Sequence, residues 1–198
     1  MELAVLVQPA ATVGDDRADA FDFAGGKLLV VADGAGGISG GAAAAQAVVD
    51  HLRHLPAHPH HDWADVLRKL DQLLSSKGSF GETTVVVAFV TSEQIVGASV
   101  GDSGAWMFSL GIWLNLLEDQ NRKPLLGSGA AVPVGFGPFP LGDRVILGSD
   151  GLFKYVKADR IGELALLDPM QLAVRELVAA ARLPSRVLQD DVAVIVAG

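Results

Sequence analysis

The sequence predicts an α+β fold in which antiparallel sheet packs with helices. Three observations predict it. Apolar runs of strand length recur along the chain, and they are grouped rather than alternating regularly with helices. Many of these runs are continuously apolar, as expected for strands covered on both faces. The chain has 198 residues, 50% of them hydrophobic and only 19% charged, which is enough to bury a sizeable core. No internal repeat and no Pro/Ser-rich linker divides it, so residues 1–198 are expected to form a single domain.

Taken in order, the first strands are Leu3–Val7 and Lys27–Ala32, rich in Val and Leu and bounded by turn residues. Gly40 to Leu55 is Ala-rich, meets no breaker until Pro56 and reads as a helix with Ser39 as its cap. Asp62 opens a second helix, with Trp63, Val66, Leu67, Leu70 and Leu74 at i, i+3, i+4 spacing. Thr84–Val90 and Gln94–Val100 flank a polar turn and read as a hairpin. Ala105–Leu110 and Asp143–Leu147 follow, with Trp106, Phe108, Leu110 and Trp113 expected in the core; exposure of Ile112 and Trp113 would instead suggest a partner surface. Asp168-Pro169 starts a helix over Met170 to Arg182, and Val192–Val196 is the last strand.

Composition excludes several functions. Lys and Arg number 15 against 23 Asp and Glu, a net charge of −8, which argues against a nucleic-acid backbone binder. With no Cys there is no disulfide framework, Cys-ligated zinc or thiol nucleophile. The longest apolar stretch, Thr83 to Val100, is broken by Thr91-Ser92-Glu93-Gln94, and Met1 to Val7 is too short for a signal peptide. These features predict a soluble, cytoplasmic protein with neither a nucleic acid nor a membrane as partner.

Three segments share one form, an apolar strand that ends in Asp beside Gly or Ser. They are Val31-Ala32-Asp33-Gly34, Val100-Gly101-Asp102-Ser103 and Gly148-Ser149-Asp150-Gly151. A fourth acidic site, Gln189-Asp190-Asp191, opens the last strand. A single Asp-Gly reads as a turn. Recurrence in a chain with so few charges points instead to carboxylates gathered around cations, because converging carboxylates repel one another otherwise. All-oxygen sites suit Mg²⁺ or Mn²⁺.

These motifs carry a family resemblance. Val31-Ala32-Asp33-Gly34-Ala35-Gly36-Gly37 resembles the "VADGMGG" signature of the protein phosphatase 2C family, the metal-dependent Ser/Thr phosphatases. Gly81-Glu82-Thr83-Thr84 resembles its "GTTA" strand start, Ser99-Val100-Gly101-Asp102-Ser103 its "NVGDSR", Gly148-Ser149-Asp150-Gly151-Leu152 its "CSDGL", and Asp190-Asp191-Val192-Ala193-Val194 its "DNITV". The motifs stand in the family's order from Asp19 to Val196, and the bacterial branch is the nearer likeness. The resemblance implies an αββα four-layer sandwich, two antiparallel sheets flanked by helices, with two or three Mn²⁺ or Mg²⁺ ions at one edge. It implies Asp33, Asp150 and Asp190 as the catalytic metal ligands and the Gly34 carbonyl as a further one. Asp102 matches the carboxylate of a third metal, and Asp19 the Asp of "NED". Asp191 stands where the family often has Asn. The activity implied is hydrolysis of a phosphoprotein substrate at phospho-Ser or phospho-Thr by a metal-activated water.

The departures from the family pattern are specific. Ala18 replaces the Glu of "NED", Gly14 stands at the phosphate-gripping Arg, Ala35 replaces the His of animal members, and Gly104 the Arg of "GDSR". Arg17 is the nearby candidate for the phosphate. Between Asp102 and Asp150 only Glu118 to Pro124 and a Gly/Pro-rich loop, Gly127 to Pro140, remain for the family's flap. Two alternatives stay open: a weakly active or inactive domain acting as a regulatory, protein-binding module, and a simple cation-binding module. The His51, His54, His58, His60 and His61 group reads as a surface loop because Pro56 and Pro59 deny it regular geometry. Gly34-Ala35-Gly36-Gly37 lacks the third Gly of a dinucleotide loop, and neither Ser103 nor Ser149 lies in a nucleophile elbow.

Overall fold

Successive residues of β-strands point to opposite faces, and here the two faces are covered by different layers. In a computed structural model describing residues 1–35, 40–78 and 80–198, Leu29 and Val31 pack with Val86, Ala88, Leu147 and Ile195. Their neighbours Leu28, Val30 and Ala32 pack with Val48, Leu52, Leu67 and Leu70, which belong to helices. Both faces of this strand are therefore apolar, as its unbroken run implies.

The described elements in chain order are β1 (Leu3–Gln8), β2 (Arg17–Phe23), β3 (Gly26–Ala32), β4 (Gly34–Ala35), α1 (Gly41–His54), α2 (Trp63–Lys77), β5 (Glu82–Thr83), β6 (Val85–Val90), β7 (Gln94–Val100), β8 (Gly104–Ser109), β9 (Ile112–Asn115), β10 (Val134–Pro140), β11 (Arg144–Gly148), α3 (Asp150–Phe153), α4 (Ala158–Ala165), α5 (Met170–Ala180) and β12 (Val192–Ala197). One antiparallel sheet runs β1-β12-β11-β8-β9 and the other β10-β7-β6-β3-β2, with β4 and β5 forming a small pair beside them. The second sheet is covered on its outer face by α1 and α2, and the first by α3, α4 and α5. The two inner faces meet in the middle layer. The predicted α+β class and the four αββα layers are both present. No helix among the described residues is long and apolar enough to cross a membrane.

Several local expectations hold, and others are corrected. Asp62 caps α2 by accepting from the Asp65 amide at 2.9 Å. Ser39 lies outside the described residues. Asp168 does not cap α5: its carboxylate pairs with Arg144 at 3.0 Å, and Pro169 holds the N-cap position. Leu110, expected in the core, is 96% exposed. With Gly111 it forms the two-residue tip between the Ser109–Ile112 pair, and both residues have positive φ, 53° and 84°. That is the geometry of the hairpin turn whose twist matches its strands, so Leu110 serves the turn rather than the packing. Ile112 is exposed as well, whereas Trp113 packs against Phe108 at 5.2 Å.

Neither outer strand of the second sheet, β2 or β10, is among the strands that the sequence predicts. β10 lies in the expected Gly/Pro-rich loop and pairs with β7 through a register shift between Phe136 and Phe139. Pro138 is tolerated there because an edge strand at a bulge needs no amide from it. The middle layer sets the stability of the whole, so Leu29→Ala should cost about 2–5 kcal/mol. Ile112→Ala, at the exposed hairpin, should stay within about 0.5 kcal/mol. Urea denaturation monitored by tryptophan fluorescence measures both.

Candidate metal centre

Strand alternation determines which acids reach the edge where the sheets meet. Asp33 follows Leu29 and Val31 at the next position on the inner face of β3. Its backbone is held rigidly: its carbonyl accepts from the Thr84 amide and the Thr83 hydroxyl, both at 2.8 Å. The Thr84 hydroxyl in turn lies 2.6 Å from that of Ser103, which ties Asp33 to the turn carrying Asp102. On the opposite sheet, the amide and hydroxyl of Ser149 bond the carbonyl and amide of Ala193, each at 3.0 Å. That pairing brings Asp150, the first residue of α3, next to Asp190, just before β12. Gly151 is required for this approach, since a Cβ there would sit 1.9 Å from the Asp191 carbonyl oxygen.

Asp33, Asp102, Asp150 and Asp190 therefore line one cavity of about 480 Å³, together with Thr84, Arg122 and Lys123. A second cavity of about 360 Å³ lies on the other side of Asp33 and is lined by Asp16, Gly34, Asp190 and Asp191 as well. A cavity of about 630 Å³ opens elsewhere, between β10 and the loop before α2. Its carboxylate, Asp62, is occupied in capping α2. His58 and His61 stack on that loop with centroids 3.7 Å apart, a surface arrangement as expected. Among the described residues, no three carboxylates or imidazoles are drawn together closely enough to enclose an ion.

The electrostatics of the edge are unusual. Burial, reinforced by the charges of Asp16 and Asp150, pushes the Asp33 carboxyl well above the usual carboxylate range. Burial does the same to Asp16, and the charge of Asp191 adds to it. Asp150 is also raised, first by burial and then by Asp190 and Asp102, with Lys154 and Arg122 opposing. Asp102 is answered locally: Arg122 donates to its Oδ2 through Nε at 3.0 Å and Nη2 at 2.6 Å.

Two expected residues lie away from the cavities. Asp19 sits on the outer face of β2, where its carboxylate pairs with Arg53 of α1 at 3.0 Å. The strand's period of two turns Asp19 toward the helices, while Ala18 and Ala20 face the middle layer. Arg17 faces the same way as Asp19. Its guanidinium donates to Gln46 Oε1 and the Gly14 carbonyl at 2.9 Å and to the Asp16 carbonyl at 2.6 Å, holding the loop before β2. Asp191 secures that loop from the other side, accepting from the amides of Ala10 at 2.8 Å and Asp15 at 2.6 Å. Sequence reasoning missed Asp16 and Arg122. Reading Arg17–Phe23 as a strand would have exposed the parity that favours Asp16.

These shifts set a pH dependence for the metal-free protein. Where a folded carboxyl is raised, the folded state keeps a proton that the unfolded chain has released. Its stabilisation is full below the ordinary carboxylate range and lost as pH rises through the folded value. The metal-free melting temperature should therefore fall between about pH 5 and pH 8, and Asp33→Asn should make that fall shallower. Calorimetric melts across this range measure it, and an equal slope in Asp33→Asn would contradict the assignment.

No curated protein matches by sequence. A bacterial serine phosphatase superposes with TM-score 0.84 at 21% identity, over 99% of this chain and 96% of its own. The catalytic domain of the serine threonine protein phosphatase PstP, in complex with 2 manganese ions, superposes with TM-score 0.83 at 20% identity, over 98% and 96%. Serine/threonine phosphatase Stp1 from Staphylococcus aureus gives TM-score 0.80 at 21% identity, over 100% and 94%. The family model described as Stage II sporulation protein E (SpoIIE) matches residues 24–198, and the chain belongs to this protein phosphatase 2C-like family.

Proposed function

We propose that the chain is a metal-dependent phosphoprotein phosphatase that hydrolyses phospho-Ser and phospho-Thr with Mn²⁺ or Mg²⁺ as cofactor. The observation that carries this reading is the convergence of Asp33, Asp102, Asp150 and Asp190, from four separated segments, on one cavity that also presents Arg122 and Lys123. The donor set fits hard divalent cations, since it offers carboxylate and carbonyl oxygens and neither sulfur nor imidazole. Asp33, the Gly34 carbonyl, Asp150 and Asp190 would hold the ions, with Asp102 at the margin. Such ions would, when bound, lower the pKa of a coordinated water and offset charge on the phosphoryl oxygens.

The chain's own part is to position these groups before substrate arrives. The Thr83 and Thr84 bonds fix Asp33, and the Ser149–Ala193 bonds fix the spacing of Asp150 and Asp190, so little reorganisation remains for the reaction. Arg122 is the cation best disposed to meet a phosphate, because its guanidinium lies on the cavity wall and is 78% exposed beyond its contact with Asp102. Arg17 contributes indirectly, by fixing the loop that ends in Asp16. That structures named as Ser/Thr phosphatases share the fold, one of them with manganese, supports the same reading.

Hydrolysis of a phosphopeptide with Mn²⁺ tests it. Turnover should require the metal and fall on the order of 10²-fold or more in Asp33→Asn. Arg122→Ala should raise KM more than it lowers kcat, as expected for a group that binds the phosphate in ground and transition states alike. Ala18, Gly14 and the closure of Arg122 over Asp102 favour the non-catalytic, protein-binding alternative. No turnover at any Mn²⁺ concentration would decide for it.

A further inference from the structure

We infer that Asp16 is a further cation-binding residue of this centre, facing a divalent ion from the N-terminal side of Asp33. The inference rests on the metal-dependent reading above. It starts from a polar group that the packing leaves unexplained. Asp16 is only 2% exposed, and its Oδ2 has no hydrogen-bond partner. A buried carboxylate oxygen without a partner is unfavourable, and a bound cation is one group that would answer it.

The placement points to what that is. Asp16 lines the cavity of about 360 Å³ with Asp33, Gly34 and Asp190. The β2–β3 register pairs Arg17 with Ala32 and Ala18 with Val31, so its continuation sets Asp16 across from Asp33. By strand parity Asp16 shares the inward face with Ala18 and Ala20, opposite to Asp19. The backbone is tethered for this purpose: Arg17 holds the Asp16 carbonyl at 2.6 Å, and Asp191 anchors the Asp15 amide at 2.6 Å. The groups that face the side chain are the carboxylates of Asp33, Asp190 and Asp191 and the hydroxyl of Ser149. The guanidinium of Arg17 spends its donors on the Gly14 and Asp16 carbonyls and Gln46 Oε1, so it offers no cation to Oδ2 of Asp16. A cavity whose acidic lining offers oxygen donors, with the unpartnered Oδ2 of buried Asp16 on its wall, fits a hard divalent cation.

The test is Mn²⁺ titration by calorimetry on wild type, Asp16→Asn, Asp16→Ala and Asp19→Asn, with metal-free melting temperatures alongside. Asp16→Asn is nearly isosteric, and Asp16→Ala removes the buried polar atoms should the amide disturb the fold. Both should weaken Mn²⁺ binding by about 10-fold or more, the range set by loss of a supporting group at a metal site. Their metal-free melting temperatures should equal or exceed that of wild type, and Asp19→Asn should bind Mn²⁺ as wild type does. Unchanged Mn²⁺ affinity in both Asp16 variants overturns the inference and leaves the phosphatase reading standing. A lower metal-free melting temperature with unchanged affinity also overturns it, in favour of a structural role. A wild type that binds no Mn²⁺ removes the metal-dependent reading itself, and this inference with it.

Discussion

The mutual repulsion of carboxylates held at one edge of an apolar sandwich is the constraint around which this structure is arranged. Asp33, Asp150 and Asp190 do not hold one another in place. Paired backbone does, through the Thr83 and Thr84 bonds to Asp33 and the Ser149–Ala193 bonds between β11 and β12. Those strands are fixed in turn by the middle layer, where Leu29, Val31, Leu147 and Ile195 are fully buried. The apolar core thus does mechanical work for the polar edge: it resists a separation that the charges favour. The strands carrying the acids are accordingly buried along most of their length, with both faces covered by other layers.

Much of this was legible in the sequence, and for a physical reason. β3, β6, β7, β11 and β12 are central strands, so both faces are apolar and the runs announce themselves. Their terminal acids, Asp33, Asp102, Asp150 and Asp190, could therefore be placed at strand ends with little ambiguity. β2 and β10 are edge strands, and their sequences say less. Arg17-Ala18-Asp19-Ala20-Phe21-Asp22-Phe23 spends one face on contacts with α1 and the other on small residues, and β10 contains Gly and Pro. Asp19 was assigned to the metal edge by motif matching alone. Its neighbour in space, Arg53, comes from α1 and is distant in sequence, so no local pattern could have revealed the pairing.

The loop before β2 shows how a departure from a family pattern can be absorbed. Gly14 stands where a phosphate-gripping Arg would be expected. A Cβ at that position would sit 2.3 Å from Oδ2 of Asp191, so restoring a side chain there would break the clamp on Asp15. Arg17 is committed to backbone carbonyls on the opposite side of the same loop. The two changes are coupled: a loop fastened by Asp191 and Arg17 has no place for a free guanidinium, and the cation facing the cavity comes instead from the far wall. There Arg122 and Lys123 stand opposite the acids, in a protein whose net charge is −8.

That far wall belongs to the segment between β9 and β10, which carries no long element yet is well anchored at one end. Leu125 and Leu126 are buried, Leu126 pairs with Thr83, and Asp71 of α2 accepts from the amides of Gly127, Gly129 and Ala131. Asp71 is buried as well, and three amide donors satisfy its carboxylate, so it closes the loop from beneath. Arg122 lies just ahead of this anchored stretch and keeps most of its side chain in solvent. Gln120, two residues earlier, donates to the carbonyls of Gly101 and Ser103 and fastens the segment to the turn that carries Asp102. The wall is thus pinned at both ends with its cations between the pins. On the phosphatase reading, recognition of the phosphate falls to a few exposed side chains on a fixed frame. Selectivity built this way depends on charge and reach more than on enclosure, because an exposed guanidinium contributes modestly in water and gains strength only against a phosphate held by the cations beside it.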